Sequence, residues 1–179
     1  MLLAVLLMVA LLLPAPVCAE PRGAAEWTYV SGARLGLRLH AEPGLSTEFL
    51  LLLNQGEDVR AQGAPVFVDG LWWTEVRVDR RAGSYTGWVS AAYLANYDRT
   101  VAPTDVPSDG VFVSSSGGLN LRRAAGTDRE IVYRVPLGTL LQPADDGVRW
   151  SGGRPWRQYL VAGERLWAAE DYLQSTWPR

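Results

Sequence analysis

The side chains best suited to recognition chemistry in this 179-residue sequence are its tryptophans, eight in number, and its arginines. Trp73 and Trp156 lie at the start of two strand-like stretches, WWTEVRV from Trp72 and WRQYLV from Trp156. Alternation in an extended chain puts Trp72, Thr74, Val76 and Val78 on one face of the first stretch, and Trp73, Glu75 and Arg77 on the other. The first set reads as a core face. Trp73 is then left on a polar face, where an indole is costly unless another element or a ligand covers it. Trp156 repeats the arrangement, since Gln158 shares its face while Arg157 goes with Tyr159 and Val161. Each indole is therefore either part of a ligand-binding surface or the support of a loop folded over it. Arg38 and Arg122 stand at the ends of two Leu-x-Leu-Arg stretches, and a guanidinium can grip a carboxylate through two parallel hydrogen bonds. The same residue also serves to anchor a strand to its turn. Trp73, Trp156, Arg38 and Arg122 are the candidate ligand-binding set.

Much other chemistry is excluded by counting. The chain has one histidine, one cysteine and no lysine, and a formal net charge of −2. One His and one Cys cannot build a zinc site, and a cysteine protease would need both for a single dyad, so neither a metal nor a cofactor is expected. A weakly acidic chain without a basic block lacks the electrostatic footprint of a nucleic-acid binder. His40 sits in a polar loop and reads as a surface residue. Ser114 to Gly118, SSSGG, has neither the lysine nor the following helix of a phosphate-cradling loop and reads as a linker end. Asp145 with Asp146, and Glu170 with Asp171, are adjacent acids of solvated turns, and a glycosidase needs a deeper cleft than small barrels offer. The expectation is a protein that is not an enzyme.

The elements that must position these residues begin after an export signal. Leu2 to Leu13 is an unbroken apolar run, too short to span a bilayer but suited to a secretory signal, and Val17 and Ala19 provide a cleavage site. Residues 1–19 are read as the signal peptide, which leaves 160 residues, 20–179, with no membrane span. Cys18 stands where a lipoprotein carries its lipid, but Ala15 and Val17 are not the Leu and small residue of that signal, so Cys18 is expected to leave with the peptide.

An internal repeat with a spacing of about 80 residues organises the remainder. Leu35, Leu37 and Arg38 answer to Leu119, Leu121 and Arg122; Phe49 to Leu53 answer to Ile131 to Val135; Gly56 answers to Gly138. The two tryptophan strands follow, and each copy closes alike, Trp88 with Tyr93 and Leu94 against Trp167 with Tyr172 and Leu173. Short segments rich in Val, Leu, Trp and Tyr between Gly, Pro, Asp and Asn predict strands and turns, hence an all-β fold of two small barrels with aromatic-rich cores. The boundaries are 28–97 and 111–174, joined by a linker over 98–110. Thirteen extended residues at about 3.1 Å each reach roughly 40 Å, enough for both units to touch one surface together and gain avidity.

Both copies resemble bacterial SH3-type (SH3b) domains. The features that carry the resemblance are the Leu-x-Leu-Arg opening (35–38 and 119–122), the turn glycine, the tryptophan strand and the closing Gly87, Trp88, Val89, Tyr93 and Leu94. Copy two departs from the closing pattern with Leu166, Trp167 and Ala168; copy one lengthens its loop around Arg80 to Ser84. The resemblance implies two SH3-like β-barrels in tandem, exported to the periplasm or secreted as a non-catalytic binding protein. Its implied partner is peptidoglycan, through its stem peptides, or an envelope protein. The alternative is an inhibitor or accessory subunit of a cell-wall hydrolase, or, more remotely, a small hydrolase.

Overall fold

The computed structural model describes residues 26–98, 102–104 and 106–178; the expected signal peptide, with Cys18, lies outside them. The described chain is all-β, with two antiparallel sheets and only single turns of 3-10 helix at Ala91–Tyr93 and Glu170–Tyr172. No helix among the described residues is long and apolar enough to cross a membrane. The first sheet contains β1 (Trp27–Tyr29), β2 (Leu37–His40), β3 (Phe49–Leu53), β4 (Asp58–Val68), β5 (Leu71–Arg80) and β6 (Gly83–Ser90), in the spatial order β1-β4-β5-β6-β2-β3. The second contains β7 (Val111–Val113), β8 (Leu119–Arg122), β9 (Ile131–Val135), β10 (Leu140–Ser151), β11 (Arg154–Val161), β12 (Glu164–Ala169) and β13 (Leu173–Gln174), in the order β13-β7-β10-β11-β12-β8-β9.

The long strands β4 and β10 each carry a bulge, between Gln62 and Val66 and between Pro143 and Val148. A bulge bends its strand and increases its twist, so one strand can pair with β1 and β5, or with β7 and β11, while the sheet curls over its own core. In the first half that core is Val30, Leu37, Leu39, Leu53, Val59, Val76, Val78, Val89 and Leu94.

Strand pairing fixes the register of the repeat, and it differs from the one read in the sequence. Leu37 and Leu39 are buried and pair with Leu53 and Leu51; Leu119 and Leu121 are buried and pair with Val135 and Tyr133. Copy one's Leu37–His40 is therefore the counterpart of copy two's Leu119–Arg122. Leu35 belongs to a solvent-exposed turn, closed by a hydrogen bond from Gly36 N to Ala33 O. Arg38 consequently corresponds to Asn120, and the counterpart of Arg122 is His40. Both of the latter face a tryptophan across the ladder, His40 opposite Trp88 and Arg122 opposite Trp167.

The two faces of β5 feed two separate clusters. Val76 and Val78 enter the first-half core, as expected from alternation. Leu71 and Trp73, on the opposite face, belong instead to the buried cluster of the second half, with Val113, Leu119, Leu121, Leu141, Tyr159, Val161 and Leu166. Leu45, Val66, Val68 and Trp88 of the first half pack against this cluster together with Val132 and Tyr133 of β9. The tip of the β4–β5 hairpin completes the junction: Leu140 N donates to Gly70 O at 2.9 Å. Gly70 has φ +74°, and a Cβ there would lie 1.9 Å from the Leu140 carbonyl oxygen, so only glycine fits. The halves are thus in contact rather than held apart by an extended linker. Within that linker Pro103 and Gly110 are buried, and Gly110 N bonds Pro107 O at 2.9 Å.

Candidate functional site

Both predicted tryptophans are buried, each at 2% exposure, so neither offers an open indole. Their chemistry is the same in both halves. Trp73 Nε1 donates to Val68 O at 3.0 Å, and Trp156 Nε1 donates to Ser151 O at 3.0 Å, each closing the hairpin that precedes it. An indole with its one N–H satisfied and its rings in apolar contact is a support for a surface more than a ligand contact. The covers differ. Trp73 packs edge-on to His40, with centroids 5.2 Å apart, within the cluster shared with the second half. Trp156 rests in a small local cluster with Ala125, Ala169 and the partly buried Trp167.

His40 and Arg122 perform one job with different chemistry. His40 Nδ1 donates to Thr47 O at 3.2 Å and lies 3.1 Å from the Thr47 hydroxyl; Arg122 Nη1 donates to the carbonyl of Arg129, the counterpart of Thr47. Each ties β2 or β8 to the loop that follows. Equivalent glycines at 44 and 126, with φ of 139° and 138°, give these loops the same path. Burial lowers the His40 pKa below its usual value, the hydrogen bond to Thr47 opposes this, and Arg38 lowers it further. His40 is therefore a buried neutral imidazole, where the sequence suggested a surface residue. Arg38 is exposed, with its guanidinium 5.7 Å from the Phe49 ring centroid. Arg38 is not brought together with Arg122 or Trp156.

Beside Trp156 the second half opens into a groove of about 330 Å³, lined among others by Asn120, Arg122, Arg134, Arg154, Trp156 and Tyr172. Arg134 Nη2 donates to Gly117 O at 2.8 Å. Arg154 Nη1 donates to the Tyr172 hydroxyl at 3.0 Å, its guanidinium stands over that ring at 5.6 Å, and its Nε is 3.7 Å from Asp171. Arg122 and Arg134 are oriented by carbonyl oxygens, which fix a guanidinium without cancelling its charge. Other arginines, such as Arg80 with Glu57 at 2.7 Å and Arg157 with Glu170 at 2.7 Å, are neutralised by carboxylates. The groove is therefore pre-organised for an anion.

The same surface in the first half is built from different residues. Register places Leu45 where the groove has Thr127, Leu52 where it has Arg134, Leu71 where it has Arg154, and His40 where it has Arg122. Asp69 further ties the two walls together, accepting from Leu45 N at 2.8 Å. Gly152 in the second half has no side chain to reach across. Leu71 and Trp73 of the first version are buried in a cluster that extends into the second half, Leu52 stays exposed, and the cationic version is open. Arg134, Arg154 and Tyr172 escaped the sequence reading. The signal for them is the exchange of Leu52 and Leu71 for arginine between copies, visible only in the correct register.

Among the described residues no three His, Cys, Asp or Glu side chains form a cluster suited to a metal ion. No family model matches the chain, and no curated protein matches it. Among solved structures, NlpC1 from Trichomonas vaginalis is similar over 96% of this chain and 52% of that one, at 14% identity and a TM-score of 0.28. The chain spans about half the length of that protein, and a likeness at this score carries no argument about fold or activity.

Proposed function

We propose that the protein is an exported, non-catalytic binding protein built of two SH3-type modules packed as one body. Its second-half groove takes a carboxylate-bearing ligand of the cell envelope, from peptidoglycan stem peptides or an envelope protein. One observation carries the reading: Arg122 and Arg134 are held by backbone carbonyls, with no ion pair to a carboxylate among the described residues, in an open groove that Arg154, Trp156 and Tyr172 complete. The lining is dominated by guanidinium, amide, hydroxyl and indole groups, which suits recognition through hydrogen bonds and charge. The SH3-type assignment is supported by the order of elements, in which a Leu-x-Leu strand, a bulged central strand, a tryptophan strand and a closing Trp, Tyr and Leu recur in both halves.

The reading is tested by pull-down on purified sacculi beside pull-down of detergent-extracted envelope proteins, using the wild type and an Arg122→Ala/Arg154→Ala variant. Retention on one of the two supports, weakened at least tenfold in the variant, is the expected result. Equal retention of the variant, or release of soluble muropeptides by the wild type, overturns it.

A further inference from the structure

We infer that the β2–β3 edge of the first half docks on an anionic lipid surface. The inference goes beyond the groove of the second half and uses none of its residues. β3 is an edge strand of the first sheet, and Phe49, Leu50 and Leu52 on it are 50%, 41% and 42% exposed. Leu35 joins them at 83% exposure. It lies in the turn that enters β2, closed by the bond from Gly36 N to Ala33 O at 2.8 Å, and a Cβ on Gly36 would meet the Leu52 side chain at 2.6 Å. Four large apolar side chains thus share one rim, and an exposed apolar patch of this kind marks an interaction surface. Arginines accompany it. Arg34 shares the turn with Leu35, while Arg38 lies across the ladder from Leu52 and over the Phe49 ring. Both arginines are exposed, and neither has an ion pair among the described residues.

The second half shows that the fold does not require this patch. Its equivalent turn is closed in the same way, by Gly118 N to Ser115 O at 2.9 Å, with φ of +78° at Gly118 against +88° at Gly36. Yet it carries Ser116 and Gly117 where the first turn has Arg34 and Leu35, and Asn120 where the first half has Arg38. The first half therefore adds apolar bulk and unpaired positive charge together. A second copy of the chain suits the first of these and not the second, because a symmetric contact brings the arginines of both copies together. Strand pairing along β3 is obstructed as well: the Leu52 carbonyl already accepts from Arg80 Nη2 at 2.7 Å, and the register breaks at Leu50. An anionic lipid surface suits both features. Side chains that project from a turn and a strand edge enter the boundary between headgroups and acyl chains, and the guanidiniums beside them meet phosphate. Of the nearby carboxylates, Glu48 lies at the end of β3 away from Leu35, and Glu57 is held by Arg80 at 2.7 Å.

The test uses residues 20–179, which include every described residue and omit the apolar run Leu2 to Leu13 that would itself enter lipid. Co-sedimentation compares vesicles of phosphatidylglycerol and phosphatidylethanolamine with vesicles of phosphatidylcholine. The wild type is expected to bind the anionic vesicles roughly tenfold or more tighter than the neutral ones, and to weaken with added salt. Arg34→Ser/Leu35→Gly installs the second half's own turn residues, and Phe49→Ser/Leu50→Ser removes apolar bulk at exposed positions. Each is expected to lose roughly tenfold or more in vesicle affinity while keeping its unfolding midpoint. Arg34→Gln/Arg38→Gln is expected to lose the preference for anionic vesicles. Equal binding of the wild type to both vesicles, no binding to either, or variants that bind as the wild type does overturns the inference. Vesicle binding lost in Arg122→Ala/Arg154→Ala but kept in the turn and β3 variants also overturns it, and assigns the lipid to the second-half groove. If the wild type ignores vesicles but self-associates, or retains an envelope protein, in a way that Arg34→Ser/Leu35→Gly abolishes, the patch belongs to a protein contact and the inference fails.

Discussion

The two equivalent tryptophan surfaces lie in opposite settings, one at the junction of the halves and one open, and the residues that separate them are few. Around a common tryptophan, one surface has Leu45, Leu71, an exposed Leu52 and the hydrogen-bonded His40 where the other has Thr127, Arg154, Arg134 and Arg122. Burying apolar area against a neighbour contributes about 25 cal/mol per Å², whereas an unpaired guanidinium resists burial. Leu71 and Trp73 are accordingly buried where the halves meet, and the arginine-lined groove stays open. A repeated order of strands need not give two equal surfaces: here the tryptophan of one half is buried at the junction, and that of the other half lies under an open groove.

The sharpest way to break this comparison is to remove the shared tryptophan from each side. Trp73→Ala and Trp156→Ala should each cost about 3–5 kcal/mol, with Trp73→Ala at the upper end because its rings belong to the cluster that joins the halves. Urea unfolding followed by far-UV circular dichroism checks this, and equal costs would remove the asymmetry. Swapping charges should be nearly as severe in one direction. Leu71→Arg places an unpaired charge in the junction and should destabilise by about 3 kcal/mol or more, while Arg154→Leu in the open groove should stay within about 0.5 kcal/mol of the wild type.

A smaller effect separates His40 from Arg122. Burial, partly offset by the hydrogen bond to Thr47, holds the His40 pKa below its ordinary 6.5. Above that pH the imidazole is neutral in both folded and unfolded chains and contributes no pH dependence. As pH falls below about 6.5 the unfolded chain binds a proton that the folded one resists, so stability declines. His40→Gln should flatten this dependence between pH 6.5 and 5, measured by thermal unfolding. Arg122 holds the equivalent place in the second half through its hydrogen bond to the Arg129 carbonyl. The smallest effect is expected at Arg38→Ala, which removes an exposed cation from the face of Phe49 and should cost less than about 1 kcal/mol.

Local patterns reveal part of this and conceal the rest for physical reasons. Alternation along Trp72 to Val78 separates Val76 and Val78 from Trp73 correctly, because side chains change faces at every residue. It does not reveal what covers Trp73, since the cluster that buries it includes Val113, Leu121 and Tyr159, far along the chain. The register slipped by two residues because Leu35, Leu37 and Leu39 continue one period, and a shift of two keeps every side chain on its face. That slip paired Arg38 with Arg122 and hid His40 as the true counterpart. Once the loops are aligned through Gly44 and Gly126, the exchange of leucine for arginine at 52/134 and 71/154 becomes readable.

The most direct measurement is amide hydrogen exchange at Leu140, whose N–H, in the second half, donates to Gly70 O in the first. If the halves are docked as described, Leu140 exchanges as slowly as the core amides of Leu121 and Leu166 and loses protection with them as urea is raised. Rapid exchange at Leu140 while Leu121 and Leu166 stay protected would show that the second half does not rest on the first, and would contradict the account.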